Sequence, residues 1–534
     1  MRPMPPPHPL LALALLAAPL AAADPAEVDG ARALETVKVL ASDAFEGRKS
    51  GLDSGRRAEE WMAERLDALG LKKWNGFTYF HEFKGSVTEE SGAPPRFEVS
   101  GGPGADRTGV FLEDYVTLIY SGKGVVAAPA VFAGYGIVND RRNDYAGIDP
   151  KGKVVVAVRG APPGFTEERY IGYKSALAAD LGAVGFLLVE GDTAVPGTIQ
   201  EEYHREHLPA AWLSRPAADD LFARAARPNL ETRKTKLEAG EMQSFPLDGV
   251  TVRLEIHARL LRDKPMRNVV GVWPGDGTTQ EYVVLGAHLD HVGVDAAGNV
   301  YNGADDNASG SAMLLEVARA IAAKGERFPR TILFVWFAAE EQGLSGSWAF
   351  VKNPPVPLEK IAVMVNTDMV GQGKPVMAVG GAEVYPRDAH WLGGLKAEGF
   401  ETKPFRSQPN SDHYPFQTSG VPAFFVHTEG PHPNYHQPGD DVENIKPELL
   451  ETAGRFVRAL AVRAATADAP FVRERRHAEY LWHAGPGIDV WSDRDAPAVL
   501  GSGIDAGKAF PHFGRGMHMV ERFGDGDVTA VLHY

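Results

Sequence analysis

The stretch Glu281 to Gly310, EYVVLGAHLDHVGVDAAGNVYNGADDNASG, decides how the chain is read. Its opening run, Tyr282 to Leu285, is continuously apolar. That is the pattern of a strand buried on both faces, and in open parallel sheets ligands collect beyond the carboxyl ends of the strands. His288 and Asp290 stand at that end, and Asp306 closes the following loop before a helix. The setting recurs three times. Arg330 to Ala339 (RTILFVWFAA) ends in Glu340-Glu341, Ile361 to Thr367 (IAVMVNT) ends in Asp368, and Val421 to His427 (VPAFFVH) leads into a loop holding Tyr435 and His436. Each strand delivers nitrogen or oxygen ligands to one edge of a sheet.

Two divalent ions bound side by side need about three ligands each, counting one shared carboxylate, and zinc accepts His nitrogen and carboxylate oxygen at roughly 2.0–2.2 Å. His288, Asp306, Glu341, Asp368 and His436 fill that inventory, with Asp306 as the bridge. Two such metals about 3.5–4 Å apart polarise a carbonyl and acidify bound water. Glu340, adjacent to a ligand, is free to move protons. Taken singly, a histidine at a strand end is more often an ordinary hydrogen-bonded residue, and paired glutamates a solvated helix start; the weight lies in the set. Asp290, two residues past His288, suits a carboxylate that orients a metal-bound imidazole. Asp412 is a candidate to touch substrate or to support the site. His291, His427, His432 and Asp305 lie nearby but are not needed by the ligand count.

The segments AHLDHVG, GADDNASGSA, FAAEEQGLSGS, NTDMVG, SDHYPF and NYHQPGDDVENI resemble, in this order, the co-catalytic dizinc exopeptidases that include bacterial leucyl-type aminopeptidases and glutamate carboxypeptidases. The resemblance runs from about Asn268 to Asp468, and weakly over the segment before Phe97. It implies an α/β fold with a doubly wound, mostly parallel sheet and helices on both faces, as alternating strands and helices also suggest. It implies two zinc ions, although mixed carboxylate and histidine sites also accept cobalt or manganese. Asp306 resembles the bridging ligand, chosen over Asp305 by counting back from Ser309-Gly310; Glu341 and His436 would complete one site, and His288 and Asp368 the other. Glu340 looks like the general base acting on a water held between the metals, and Tyr435 like the donor to the oxyanion. The activity so implied is that of a zinc-dependent aminopeptidase. A carboxypeptidase or dipeptidase on the same metals, and a receptor-like binding protein with a degenerate site, are the rival readings.

At 534 residues the chain is too long for one ordinary core, and its 44% hydrophobic and 23% charged residues are those of a globular protein. A formal charge of -15 argues against a nucleic-acid partner, and the resemblance implies peptides as substrates. Arg2, the short apolar run Leu10 to Leu20 and Ala21-Ala22-Ala23 predict a signal peptide over 1–23, and so export to a bacterial periplasm or the exterior without a membrane anchor. With no cysteine there is neither a disulfide framework nor a site for lipid attachment after the leader.

Residues 24–107 are expected to begin the peptidase domain: Val28 to Leu71 is helical around the polar loop SDAFEGRKSGLDSG, with Ala58, Trp61, Met62, Leu66 and Leu69 at helical spacing. Arg48 in that loop reads as a salt-bridging residue before a functional one. Residues 108–246 turn to short strands; DYAGIDPKGKVVVAVRG, KSALAADLGAVGFLLV and LPAAWLS resemble an inserted, β-rich α/β protease-associated domain over about Gly122 to Leu221. Val250 to Ile256 and Asn268 to Trp273 return the chain to the catalytic domain of 247–468, whose helices are expected over Ser309 to Ala323 and Pro447 to Val462. The extension 469–534, with Trp482, Trp491, His512 and His518, matches none of the family segments, and Met517 to Tyr534 alternates like a hairpin.

Overall fold

The structure, a computed structural model, describes residues 27–90, 93–118, 121–162, 165, 171–189, 203–385, 389, 395–408, 410–468 and 471–473, and by backbone alone three strands within 479–533. The expected leader, Trp491 and His512 lie outside these residues. Helix α1 (Gly30–Leu40) starts at Asp29, whose carboxylate accepts from the backbone N–H groups of Ala31 and Arg32. Helix α2 (Asp53–Ala68) buries Ala58, Met62 and Leu66, the side chains set at helical spacing. Among the described residues no helix is long and apolar enough to cross a membrane.

Strand β1 (Phe80–Glu90) pairs with a much longer one downstream. The inserted unit contributes β2 (Lys123–Ala133), β3 (Val154–Val158), β4 (Gly185–Val189) and β5 (Ala210–Leu213). Strand β6 (Ser244–Trp273) then joins both units. Its first half pairs with β2 and its second half with β1, with a register shift between Leu261 and Lys264. Two separate strands were expected here; bulging lets one ladder serve both sheets. The core of the insert also reaches beyond 108 and 246, since Phe97, Val99, Val252, Leu254 and Ile256 pack with Val154, Val156 and Leu187.

The half after β6 is built on β7 (Tyr282–His288), α3 (Gly310–Lys324), β8 (Thr331–Phe337), β9 (Ile361–Thr367), β10 (Lys374–Gly380), β11 (Ala423–Glu429) and α4 (Pro447–Thr466). The sheet order is β10-β11-β9-β7-β8-β6-β2. Strands β8, β7, β9 and β11 run parallel, while β6 and β10 flank them antiparallel. Alternation along β7 and β8 divides the core. Val283, Leu285, Ile332, Phe334 and Trp336 face α1, α3 and α4, whereas Val284, Leu333, Val335 and Phe337 face Phe350 and Phe416 on the other side. Each such buried side chain is worth about 1.5–3 kcal/mol, so the strands read as continuous apolar runs because both faces are covered. The parallel arrangement aims the carboxyl ends of four neighbouring strands at one edge.

The extension forms a separate three-stranded antiparallel sheet of β12 (Glu479–Ala484), β13 (Met517–Phe523) and β14 (Asp527–His533). The pair β13–β14 is the expected hairpin.

Candidate metal centre

His288 is the last residue of β7, Glu340 and Glu341 follow β8, Asp368 follows β9, and His436 lies on the loop after β11. Asp306 enters through a π-helical turn, Ala304–Ser309, that opens α3; its peptide bond to Asn307 is cis. Gly303 permits this turn, because it is left-handed at φ 57° and a Cβ there would stand 2.3 Å from the Asp306 carbonyl oxygen and 2.5 Å from the His291 ring. Ala339, Met369 and His436 are also left-handed, at φ 56°, 56° and 51°. Such strain in residues with side chains costs of order 1–3 kcal/mol each and is retained where surrounding structure fixes it.

The five sequence-predicted ligands come together in two triads that share Asp306. His288 Nε2 stands 3.2 Å from Asp306 Oδ1 and 3.3 Å from Asp368 Oδ1. His436 Nε2 stands 2.8 Å from Asp306 Oδ2 and 3.1 Å from Glu341 Oε2. Asp306 thus turns one oxygen to each histidine. All five residues are buried. Asp305, the other aspartate of the turn, points elsewhere: its carboxylate accepts from the Gly371 N–H and meets His432.

This donor set fits divalent cations. Asp306, Glu341, His291 and His436 each place a ligand atom within 4.8 Å of the others, and His288, Glu340 and Asp368 form a second such group. Two bare carboxylates at that separation repel by roughly 3 kcal/mol at an effective dielectric of 20, a cost that a bound dication reverses. Asp306 Oδ2 has no aligned hydrogen-bond donor despite its 2.8 Å approach to His436. Burial alone would raise the Asp306 carboxyl, but its contacts with His288 and His436 pull it well below the usual range. Burial likewise opposes charge on His436, yet Glu341 and Asp306 push it up to about 10. Glu340 is different: burial lifts its carboxyl well above the ordinary value, opposed by His288 and reinforced by Glu341, Asp412 and Asp368. No hydrogen bond of its carboxylate is among the contacts described, and its backbone N–H donates to Asp290 Oδ1 at 3.1 Å.

That bond adds to the reading of Asp290, whose Oδ1 also stands 3.8 Å from His288 Nδ1. Its carboxylate holds the start of the Glu340 loop, and His288 Nδ1 meets the Asp290 backbone carbonyl at 3.2 Å as well. Tyr435 stacks on His436 with ring centroids 3.7 Å apart and stays 49% exposed. Desolvation first, then the carboxylates of Asp306, Glu341, Glu340 and Asp368, raise its hydroxyl pKa, so the hydroxyl keeps its proton. His291 is drawn in further than the ligand count required, with Nδ1 2.7 Å from Glu341 Oε1. Asp412 is wholly buried, which removes direct contact with substrate; burial lifts its carboxyl to about 7, against the pull of His288. His427 packs among Phe405, Phe425 and His432.

Three supporting residues were given no role at the site from the sequence, although Ser411 and Asp440 lie within the segments SDHYPF and NYHQPGDDVENI. Ser411 Oγ donates to Asp368 Oδ2 at 2.7 Å and accepts from Asn366 Nδ2. Asp440 accepts from the N–H groups of Asp305 and Asp306, fixing the backbone of the shared ligand. Arg48 forms no salt bridge among those described, contrary to expectation. Fully buried, it donates to the carbonyls of Leu40, Leu289, Asn302 and Gly303 at 2.6–2.9 Å and so ties β7 to the Asp306 turn. Burial lowers its pKa to about 10 while Asp290, Asp440, Asp306 and Glu341 oppose that shift, so it remains a cation. An orphaned buried acceptor costs about 1–3 kcal/mol, so Arg48→Met is expected to lower the unfolding free energy by about 3 kcal/mol or more. Urea denaturation measures this; a loss under about 1 kcal/mol would remove Arg48 from that role.

Residues 268–461 match the model of peptidase family M28, and residues 117–221 that of the PA domain. Aminopeptidase YwaD of Bacillus subtilis (strain 168) is 29% identical over 252 residues, 44% of this chain and 53% of that protein, so the chain spans about half the length of that relative. An aminopeptidase from Aneurinibacillus sp. strain AM-1 superposes with a TM-score of 0.60 at 21% identity, covering 84% of this chain and 97% of that one. BSAP, a zinc aminopeptidase from Bacillus subtilis, does so at 0.56 and 22%, covering 83% and 96%. At these identities the two structures show a shared fold.

Proposed function

From the premise that residues 268–461 form a unit of peptidase family M28 and residues 117–221 a PA domain, we propose that the chain is a zinc-dependent aminopeptidase that removes N-terminal residues from peptides. The observation that carries this is the pair of triads meeting on Asp306. His288, Asp306 and Asp368 would hold one zinc ion, and His436, Asp306 and Glu341 the other, with His291 steadying Glu341. When bound, such a pair supplies Lewis acidity to the scissile carbonyl and acidifies the attacking water.

The chain's own groups do the rest. Glu340 takes a proton from the attacking water and returns it to the leaving amine. The protonated hydroxyl of Tyr435 donates to the oxygen that becomes negative as the carbonyl turns tetrahedral. Asp290 holds the Glu340 backbone, and Ser411 and Asp440 fix the two aspartate ligands. The charged groups that act on Glu340 are His288 and the carboxylates of Glu341, Asp412 and Asp368.

The same proposal takes residues 24–107 and 247–468 as the peptidase domain, 108–246 as an insert that shapes access to it, and 1–23 as a leader for export. A free-amine peptide ladder, its N-acetylated form and its C-amidated form separate the readings by mass spectrometry. Hydrolysis of the free and amidated peptides from the N-terminus, with the acetylated one spared, is expected. Sparing of the amidated peptide instead would identify a carboxypeptidase.

A further inference from the structure

His291 was surplus to the ligand count, yet it is fully buried and turns one ring nitrogen onto two of the ligands. Its Nδ1 stands 2.7 Å from Glu341 Oε1 and 3.9 Å from Asp306 Oδ2, while Nε2 has no hydrogen-bond partner. We propose that His291 is a fourth protein ligand of the ion held by Asp306, Glu341 and His436, so that the two metal positions are unequal: this one held by four side chains and bound more tightly, the other held by three. The inference rests on the dizinc reading of the site, and it gives His291 more to do than steady Glu341.

Zinc bonds of roughly 2.0–2.1 Å directed at the corners of a tetrahedron set the ligand atoms about 3.3 Å apart. The distances that His291 Nδ1 makes to the two carboxylates bracket that spacing, and His436 Nε2 lies 2.8 Å from Asp306 Oδ2 and 3.1 Å from Glu341 Oε2. All four residues place a ligand atom within 4.8 Å of one another. On the other side of Asp306 the group formed by His288, Glu340 and Asp368 contains no second imidazole.

The fold sets the ring in this position. The Leu289 N–H donates to the Phe337 carbonyl at 2.8 Å, which ties the segment after β7 to the end of β8. Gly303 leaves room for the ring, since a Cβ there would stand 2.5 Å from its Cγ and Cδ2. The rings of His291 and His436 are 5.6 Å apart and inclined by 50°, so they converge on the Glu341 carboxylate without stacking on each other.

Four protein ligands are characteristic of zinc sites that retain their ion, and three with an open position of sites where reaction occurs. Imidazole nitrogen suits zinc, whereas an amide oxygen is better matched to magnesium, calcium or manganese. His291→Asn therefore separates ligation from support. The asparagine Nδ2, attached to Cγ as Nδ1 is in histidine, can still donate to Glu341 Oε1, but no imidazole nitrogen remains for the ion.

The test uses the full-length chain without a histidine tag, stripped with a chelator and loaded with one equivalent of zinc. X-ray absorption at the zinc edge then counts the imidazoles on the metal. Two per zinc are expected, from His291 and His436. One per zinc would overturn the proposal and leave the dizinc reading standing; no bound zinc would overturn both. Chelator competition measures the two binding steps separately. His291→Asn is expected to weaken the tighter step by more than about 100-fold and leave the weaker one unchanged, whereas loss of a residue that only supports a ligand costs about 10–100-fold. A loss within that smaller range, or none, would overturn ligation, and the imidazole count on the unaltered chain decides the matter even where the variant fails to fold.

Discussion

Glu340→Gln is expected to lower kcat by about 10²–10⁴ while leaving the zinc content at the parental level. The glutamine keeps the shape of the side chain but cannot accept the water's proton. The ligand groups are untouched, because the triads use Glu341, not Glu340, on the loop after β8. The Glu340 N–H would still donate to Asp290, so the loop keeps its course. KM is expected to change little, since the carboxylate acts in the transition state and not in binding. Turnover within about threefold of the parent would remove Glu340 from the role of base, well short of the loss expected of such a group.

Removing the metal is expected to have the second large effect. Chelation should abolish hydrolysis and also lower the melting temperature, because Asp306, Glu341 and Asp368 are buried and stand close together without a bound cation. Zinc at 100 to 1,000 times its dissociation constant stabilises the fold by about 2.7–4.1 kcal/mol, which calorimetry with and without added zinc resolves. Asp306→Asn should resemble chelation more than Asp368→Asn does, because Asp306 serves both triads and Asp368 one. Equal activity and equal melting temperature before and after chelation would contradict the assignment.

Three of the candidate ligand positions were legible in the sequence because they close apolar runs, and a parallel sheet brings such ends together whatever the details of packing. His288, Asp368 and the Glu340-Glu341 pair follow β7, β9 and β8 for that reason. The roles of neighbours were less legible. Whether Asp290 orients an imidazole or caps a backbone N–H depends on a turn of the chain after His288 that spacing does not specify. Arg48 read as a salt-bridging residue because nothing local marks it as buried; its four acceptors come from positions 40, 289, 302 and 303. The continuous β6 was read as two strands, since the polar stretch Arg262-Asp263-Lys264 in its middle looks like a loop and is in fact the bulge.

The most direct test of the account is anomalous diffraction from crystals of the zinc-loaded chain, with data on both sides of the zinc absorption edge. The account predicts two peaks flanking the Asp306 carboxylate, one bounded by His288 and Asp368 and the other by His436 and Glu341. A single peak there, or zinc bound without contact to Asp306, would contradict it.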